Sequence, residues 1–426
     1  MKIGTLAQYL DTRSDIRDLL DMLSHDHEVT FYAPASQAEK IRRLCPFLNV
    51  VPLAPITGFA NFFYVIWQYV YLLAGKIPAS RYNYYMTEHI KSSSQHCSPT
   101  CKAIRSAVLF LSRITPKIMS YDQYLDGMLC FKTRAEISAD IDVFLCFTEI
   151  YQDHFFAQIV QQGKPVWTYV YSWDHPCKMK SFSQRTHYLV WNKGLKDDLI
   201  DLHQIKAGKI HIWGATQFAW IEQMLNAQRD DHRDNPYQTP FIYLGCATGY
   251  ETLTVQEVKY CILIGCQLEK TLPTWKLVIR PYPFQKNPAL YQPLRELSNV
   301  IFDDSISRQD KFLRVRHAKA FLHFGTTMGY EAGYSNTPSF LIDLVDASKD
   351  PLLYGFVHQY QNDKYLNHVS GALVIKSMAG LVQMFINLSA GQKTIYSNTH
   401  LRSSTQLQSL PVLKEKLIDL IRFSNN

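Results

Sequence analysis

The stretch Ala320–Asp343, AFLHFGTTMGYEAGYSNTPSFLID, carries a strand, a turn, a helix and a second strand in sequence. AFLHF reads as a buried strand that ends at Phe324. Gly325 supplies the turn, Thr326 and Thr327 open a helix that contains Glu331, and Pro338 leads into SFLID. Two buried strands joined through a helix lie parallel in one sheet with the helix on its face.

The same alternation extends in both directions. Towards the carboxyl terminus comes a strand at Leu373–Lys376 and a last helix at Leu413–Phe423. Towards the amino terminus the pattern predicts strands at Phe241–Leu244, Lys276–Arg280 and Val300–Asp303, with helices at Thr254–Cys266 and near Gln309–Lys319. Asn226–Thr239 (NAQRDDHRDNPYQT) is the most polar stretch and reads as a linker. Before it, strands are expected at Lys2–Ala7, His27–Tyr32, Tyr82–Met86, Asp140–Phe147, Val166–Tyr171, Tyr188–Trp191 and Lys209–Trp213. Helices are expected at Ser14–Ser24, Gln152–Gln162 and Asp197–His203. The reading is an α/β chain of two doubly wound halves: residues 1–225, a linker at 226–239, residues 240–400, and a tail with a helix at 401–426.

A length of 426 residues suits two domains, and 47% hydrophobic with 19% charged residues excludes a disordered or collagenous chain. The opening MKIGTLAQYL lacks the apolar core of a secretory signal. Nine cysteines follow no repeated spacing, as expected of reduced thiols in a cytoplasmic protein. His96, Cys97 and Cys101 lack a second ligand pair at finger spacing, so no metal site is expected.

Charge is unevenly distributed. Between Ala38 and Ser120 ten bases face only Glu39 and Glu88, a net +8, whereas the whole chain carries +7. Within that segment, Gly58–Gly75 is a helix-length uncharged run, with Asn61, Tyr64, Gln68 and Tyr71 on one side and apolar residues around the rest. It is short for a bilayer crossing, which takes about 20 apolar residues, leaving a buried helix or one lying in a membrane interface. The next helix, CKAIRSAVLFLSRITPK, sets Lys102, Arg105 and Arg113 opposite Ile104, Ala107, Val108, Leu111 and Ile114. A basic amphipathic helix suits an anionic membrane surface and equally an ordinary solvated face. The stretch has no recognised nucleic-acid reader motif.

Three sets of residues are candidates for chemistry. Gly325, Thr326 and Thr327 lie where a strand meets a helix, where backbone N–H groups suit a diphosphate, and Glu331 one turn on suits the hydroxyls of a ribose. Gly245 and Thr248, after the strand FIYL, form a second small-residue loop at a strand end. Arg280, before Pro281 and Pro283, is placed to reach a phosphate. In the first half, Asp174, Glu149 and Glu88 each follow a predicted strand, where a carboxylate serves as a base or binds sugar hydroxyls. Each of these residues also has an ordinary reading as a cap or turn.

Residues from about Asp140 to Asp343 resemble the GT-B glycosyltransferases that build bacterial surface polysaccharides, such as capsule and lipopolysaccharide. They also look similar to the transferases of glycerol- or ribitol-phosphate polymers. Ser172-Trp173-Asp174, LVWNKGLKDDLIDLHQIKAGKIHIWGATQF, Arg280-Pro281-Tyr282-Pro283, and Gly325-Thr326-Thr327 with Glu331 carry the resemblance. It implies two Rossmann-like domains facing a cleft. The second would hold a nucleotide-sugar donor, with Gly325–Thr327 near the phosphates and Glu331 at the ribose. The first would receive a lipid-linked or polysaccharide acceptor at the inner face of the cell membrane, a setting that fits the +8 segment. The resemblance implies no cofactor and no obligate metal, the charge on the departing diphosphate being met by N–H groups and cations. The sequence departs from the pattern at His175, where relatives carry Asn, and at Thr326, where Ser is commoner. The alternatives are a sugar-nucleotide 2-epimerase on the same scaffold, or a non-catalytic nucleotide-sugar-binding scaffold protein.

Overall fold

Lys2–Leu6 (β1) is the strand on which the first sheet is built. In the computed structural model it pairs in parallel with Glu28–Pro34 (β2) on one side and Val143–Phe147 (β4) on the other, Ile3 lying opposite both Val29 and Val143. The structure describes residues 1–8, 10–54, 56–76, 99–131, 137–148, 153–173, 175–178, 182–227, 235–283, 285–305, 307–359, 373–392, 405 and 407–424. Asn49–Leu53 (β3), Val166–Tyr169 (β5), His187–Val190 (β6) and Ile210–Ile212 (β7) complete a seven-stranded sheet in the order β3-β2-β1-β4-β5-β6-β7. All its pairings among the described residues are parallel.

A second sheet is formed by Phe241–Gly245 (β8), Lys276–Arg280 (β9), Val300–Phe302 (β10), Ala320–His323 (β11), Ser339–Ile342 (β12) and Val374–Ile375 (β13). Its order is β10-β9-β8-β11-β12-β13, again parallel throughout. The chain divides into two compact units, one of residues 1–87, 96–223 and 407–426, the other of residues 88–95 and 224–406. Each is a Rossmann-like sheet flanked by helices.

The last helix, Leu410–Ser424, belongs to the first unit, although the sequence reading set residues 401–426 apart as a tail. It buries Leu413, Leu417, Ile418 and Ile421 and packs on the helix Ser14–Ser24. Trp213 donates its indole N–H to Leu413 O at 2.8 Å. Gly214, at φ +134°, makes room beside it, since a Cβ there would stand 2.7 Å from Leu413 Cδ2.

The helix Gly58–Ala74 is inserted after β3 and packs against the helix Pro99–Ile114. Its inward residues are Tyr64, Tyr71 and Leu72, so the side that looked polar in sequence is the side that packs. Tyr71 stacks on Tyr124 with ring centroids 4.4 Å apart, and Trp67 donates to Tyr124 O at 3.0 Å. Phe59, Phe62, Phe63, Val65 and Ile66 are exposed instead. The predicted strand Tyr82–Met86 and the centre of the polar linker lie outside the described residues.

Candidate functional site

In an open parallel sheet the site lies beyond the carboxyl ends of the strands, where the strand order reverses. In the second unit that point falls between β8 and β11, from which the chain builds outwards in both directions. Register places Gly245 directly beside His323 of β11 and beside Arg280 of β9. The two glycine loops and the arginine singled out in the sequence therefore end on neighbouring strands.

Gly245 is glycine for want of space, since a Cβ would lie 2.8 Å from Cζ of the buried Phe321. Beyond it, Cys246 N–H reaches Arg280 O at 3.0 Å, and Ala247 N–H reaches Oε1 of Glu257 at 2.9 Å. Thr248 is buried, and its hydroxyl oxygen accepts Tyr250 N–H at 3.1 Å, closing a local turn. Thr254 donates to Thr248 O at 3.2 Å and accepts from the Gln285 amide at 2.7 Å. The loop is thus fixed from behind by the helix Glu251–Thr271.

The second loop is held in a similar way. Gly325 adopts φ +105°, a conformation that favours glycine, and donates its N–H to His323 Nδ1 at 3.0 Å. His323 is wholly buried, and burial pushes its pKa down to about 3, so it is neutral with its proton on Nε2. That Nε2 makes no hydrogen bond among the described residues. Thr326 and Thr327 are half-buried and accept Gly329 and Tyr330 N–H groups at 3.0 and 3.1 Å. The helix they open, Met328–Tyr334, is only seven residues long. Glu331 is its fourth residue, and its carboxylate pairs with Lys311 Nζ at 3.0 and 2.8 Å.

Arg280 is committed to the end of β10. Its Nη1 donates to Ser305 O at 2.6 Å and Asp303 O at 3.1 Å, and lies 3.7 Å from the Asp303 carboxylate. Asp303 is the hub there: Tyr243 and Arg314 donate to its oxygens, as does Ser305 N–H at 2.9 Å. Burial opposes its charge, but the bonds from Tyr243 and Ser305 and the charge of Arg314 outweigh it and hold Asp303 below the usual carboxylate range.

In the first unit the order reverses between β1 and β4, with Leu6 opposite Cys146. Glu88, Glu149 and Asp174 lie outside the described residues. Their described neighbours show a packed polar corner. Thr148 meets His175 Nδ1, and Trp173 and His175 are buried. Arg13 grips Asp15 in two bonds, at 2.9 and 2.7 Å, with its guanidinium 4.3 Å from the Tyr171 ring centroid. Burial opposes the charge of Arg13, and Asp15 more than restores it. Lys102, Arg105 and Arg113 lie on the helix Pro99–Ile114, but their side chains are outside the described residues, as are His96, Cys97 and the Cys101 side chain. Among the described residues no cluster of His, Cys, Asp and Glu could hold a metal, and no helix is long and apolar enough to cross a membrane.

No family model and no curated protein matches the chain. Solved structures do. MnaA of S. aureus, in a co-structure with UDP, superposes with TM-score 0.53 at 10% identity, over 100% of this chain and 97% of its own. The UDP-N-acetylglucosamine 2-epimerase of Rickettsia bellii gives 0.50 at 11% identity, over 100% and 96%. MurG of Acinetobacter baumannii gives 0.50 at 12% identity, over 99% of each chain. The fold is GT-B. Structural neighbours of this GT-B chain include both epimerases and glycosyltransferases.

Four residues that organise the site had not been singled out in the sequence: Glu257, His323, Lys311 and Asp303. Two of them left a trace. Glu257 falls on the same helical stripe as Leu253, Cys261 and Leu268, which makes it an acid on an apolar face. His323 is the one polar residue in AFLHF. Lys311 and Asp303 meet their partners only through the fold.

Proposed function

We propose that the protein is a glycosyltransferase that moves a sugar from a nucleotide-sugar donor to a hydroxyl of a lipid-linked or polysaccharide acceptor. The observation that carries this reading is the pair of glycine loops side by side at the strand-order reversal of the second unit, Gly245–Gly249 and Gly325–Thr327. Both loops leave the carboxyl ends of neighbouring strands, the place where an open parallel sheet takes a ligand, and their small residues would let backbone come close to a diphosphate. The donor would be held by these loops, with Glu331 and its partner Lys311 at the ribose. N–H groups rather than a metal would meet the charge on the leaving diphosphate. Asp174, Glu88 and Glu149 are the candidate bases that would take the acceptor proton.

The exposed apolar surface of the first unit supports an acceptor drawn from a membrane. Phe59 is 76% exposed, Phe62 57%, Phe110 63% and Ile114 68%, on two helices from the segment that carries net +8. Apolar side chains would enter the acyl boundary while the bases meet anionic headgroups. On this reading the protein would work at the cytoplasmic face of the cell membrane.

A thermal-shift panel of UDP, GDP, CDP and TDP sugars with CMP forms tests the donor. A bound ligand at 100 times its Kd stabilises the native state by about 2.7 kcal/mol. Absence of a shift across the panel overturns the reading. The epimerase neighbours favour a second reading, sugar-nucleotide 2-epimerisation, and incubation with UDP-N-acetylglucosamine decides between them. Inversion at C2 without an acceptor supports the epimerase, and acceptor-dependent release of nucleoside diphosphate supports the transferase. A scaffold role would show as binding without turnover, unchanged when Asp174, Glu88 and Glu149 are replaced. Vesicle sedimentation of Phe59→Asp/Phe62→Asp and of reversed Lys102, Arg105 and Arg113 tests the membrane contact, and sedimentation equal to the parent refutes it.

A further inference from the structure

Glu257 has no exposed surface, and it turns towards the loop after β8 from the helix behind it. Ala247 N–H donates to its Oε1 at 2.9 Å, and the Thr248 backbone faces the same carboxyl group. Oε2 makes no hydrogen bond among the described residues. Among the described residues, the titratable groups around it are Cys246, which meets Cys261 and Tyr291, and the Tyr291 hydroxyl itself. None of these is a cation. Burying a carboxylate with no opposite charge is costly, and proteins commonly meet that cost by keeping the group protonated.

We propose that Glu257 is a positioning residue which, as a neutral acid, fixes the Ala247–Thr248 backbone from behind without setting a negative charge beside a diphosphate. This rests on the nucleotide-sugar reading of the site. Burial pushes the Glu257 pKa up to about 8, and the amides of Ala247 and Thr248 only partly offset that effect. Near pH 7 the group is mostly neutral and the ligand meets no like charge. As pH rises through about 8 a carboxylate forms behind the loop that would hold the diphosphate, the two negative charges repel across the loop, and affinity falls. A bound diphosphate raises the pKa further, so binding above pH 8 takes up a proton from buffer.

Calorimetric titration with UDP-N-acetylglucosamine, UDP-glucose, GDP-glucose and TDP-glucose at pH 6.5 to 9 tests this. Neither phosphate of such a diphosphate diester titrates in that range. The parent should lose about tenfold in affinity by pH 9, and its binding heats in two buffers of different ionisation enthalpy should reveal proton uptake. Glu257→Gln keeps the shape and acceptor of the neutral acid but cannot ionise. It should match the parent near pH 7, stay level to pH 9 and take up no proton. Glu257→Leu removes the acceptor and should bind about tenfold more weakly at every pH. A parent profile that is level, or a Glu257→Gln profile that falls in parallel with it, overturns the role of Glu257 while leaving nucleotide-sugar binding intact. No binding by the parent to any of the four sugars at any pH, with no shift across the wider panel that includes CDP and CMP sugars, removes the nucleotide-sugar reading and this role together.

Discussion

Asp303→Ala removes the acceptor on which Tyr243, Ser305 N–H and Arg314 converge, with Arg280 close by. Asp303 has no exposed side-chain surface, so no water takes its place without rearrangement. Removing one partner of a buried ion pair costs about 3–5 kcal/mol, chiefly because the other charge is left unpaired. Here both guanidiniums keep something: Arg314 retains the Tyr237 hydroxyl at 3.1 Å, and Arg280 retains backbone oxygens at 2.6 and 3.1 Å. The lower end applies, about 3 kcal/mol. Hydrogen exchange of peptides covering β8 and β11, followed in increasing urea, reads the second unit by itself. With a slope of about 2 kcal/mol/M, the midpoint for those peptides should fall by about 1.5 M. Asp303→Asn, which keeps an acceptor but no charge, should fall between parent and Asp303→Ala. The pKa of Asp303 is depressed in the folded state, so its stabilisation is present above the unfolded carboxylate pKa and lost as pH falls through the folded one. The gap between parent and Asp303→Ala should therefore hold steady from about pH 5 to 8 and narrow in acid. A midpoint drop below about 0.3 M, or a gap that widens in acid, would refute the assignment of Asp303 as the hub.

Three further outcomes are expected. Gly245→Ala drives a Cβ to 2.8 Å from Phe321 Cζ inside the core, and should destabilise the second unit by about 1–3 kcal/mol in the same exchange experiment. Glu331→Ala should weaken nucleotide binding about tenfold in calorimetry, and unchanged affinity takes Glu331 out of the site. Trp213→Phe forfeits the bond to Leu413 O, worth about 1 kcal/mol, and limited proteolysis should then cut the chain around residues 407–424 faster than in the parent.

Strand–helix alternation was readable because strands in a parallel sheet are covered on both faces and appear as unbroken apolar runs. FIYL, KLVIR and AFLH all reappear as β8, β9 and β11. The ends were less readable. DIDVFLCF reads as one strand, yet β4 begins only at Val143, because Asp142 accepts the Lys2 N–H at 2.8 Å and Asp140 pairs with the Lys2 side chain. β3 was missed because Pro52 argues against a strand, but β3 lies at the sheet edge, where a missing N–H costs little. The direction of the helix Gly58–Ala74 was misleading for a related reason. Tyrosines count as polar on a helical wheel, yet Tyr64 and Tyr71 have flat apolar rings that pack on other rings, Tyr64 on His154 and Tyr71 on Tyr124. In the candidate site, glycine and threonine mark the loops locally, whereas Lys311 and Asp303 lie 20 residues or more from Glu331 and Tyr243, their partners.

The return of Leu410–Ser424 to the first unit also orders events during synthesis. All seven strands of the first sheet have been made once Ile212 has been added, but the socket beside Trp213 and Gly214 stays open until Leu413 arrives. At about 5–20 residues per second, that leaves an apolar surface uncovered for roughly 10–40 s while the whole second unit is translated. A ribosome-bound first half therefore carries that surface bare, and the second sheet, whose strands run from Phe241 to Ile375, can be completed before it is covered.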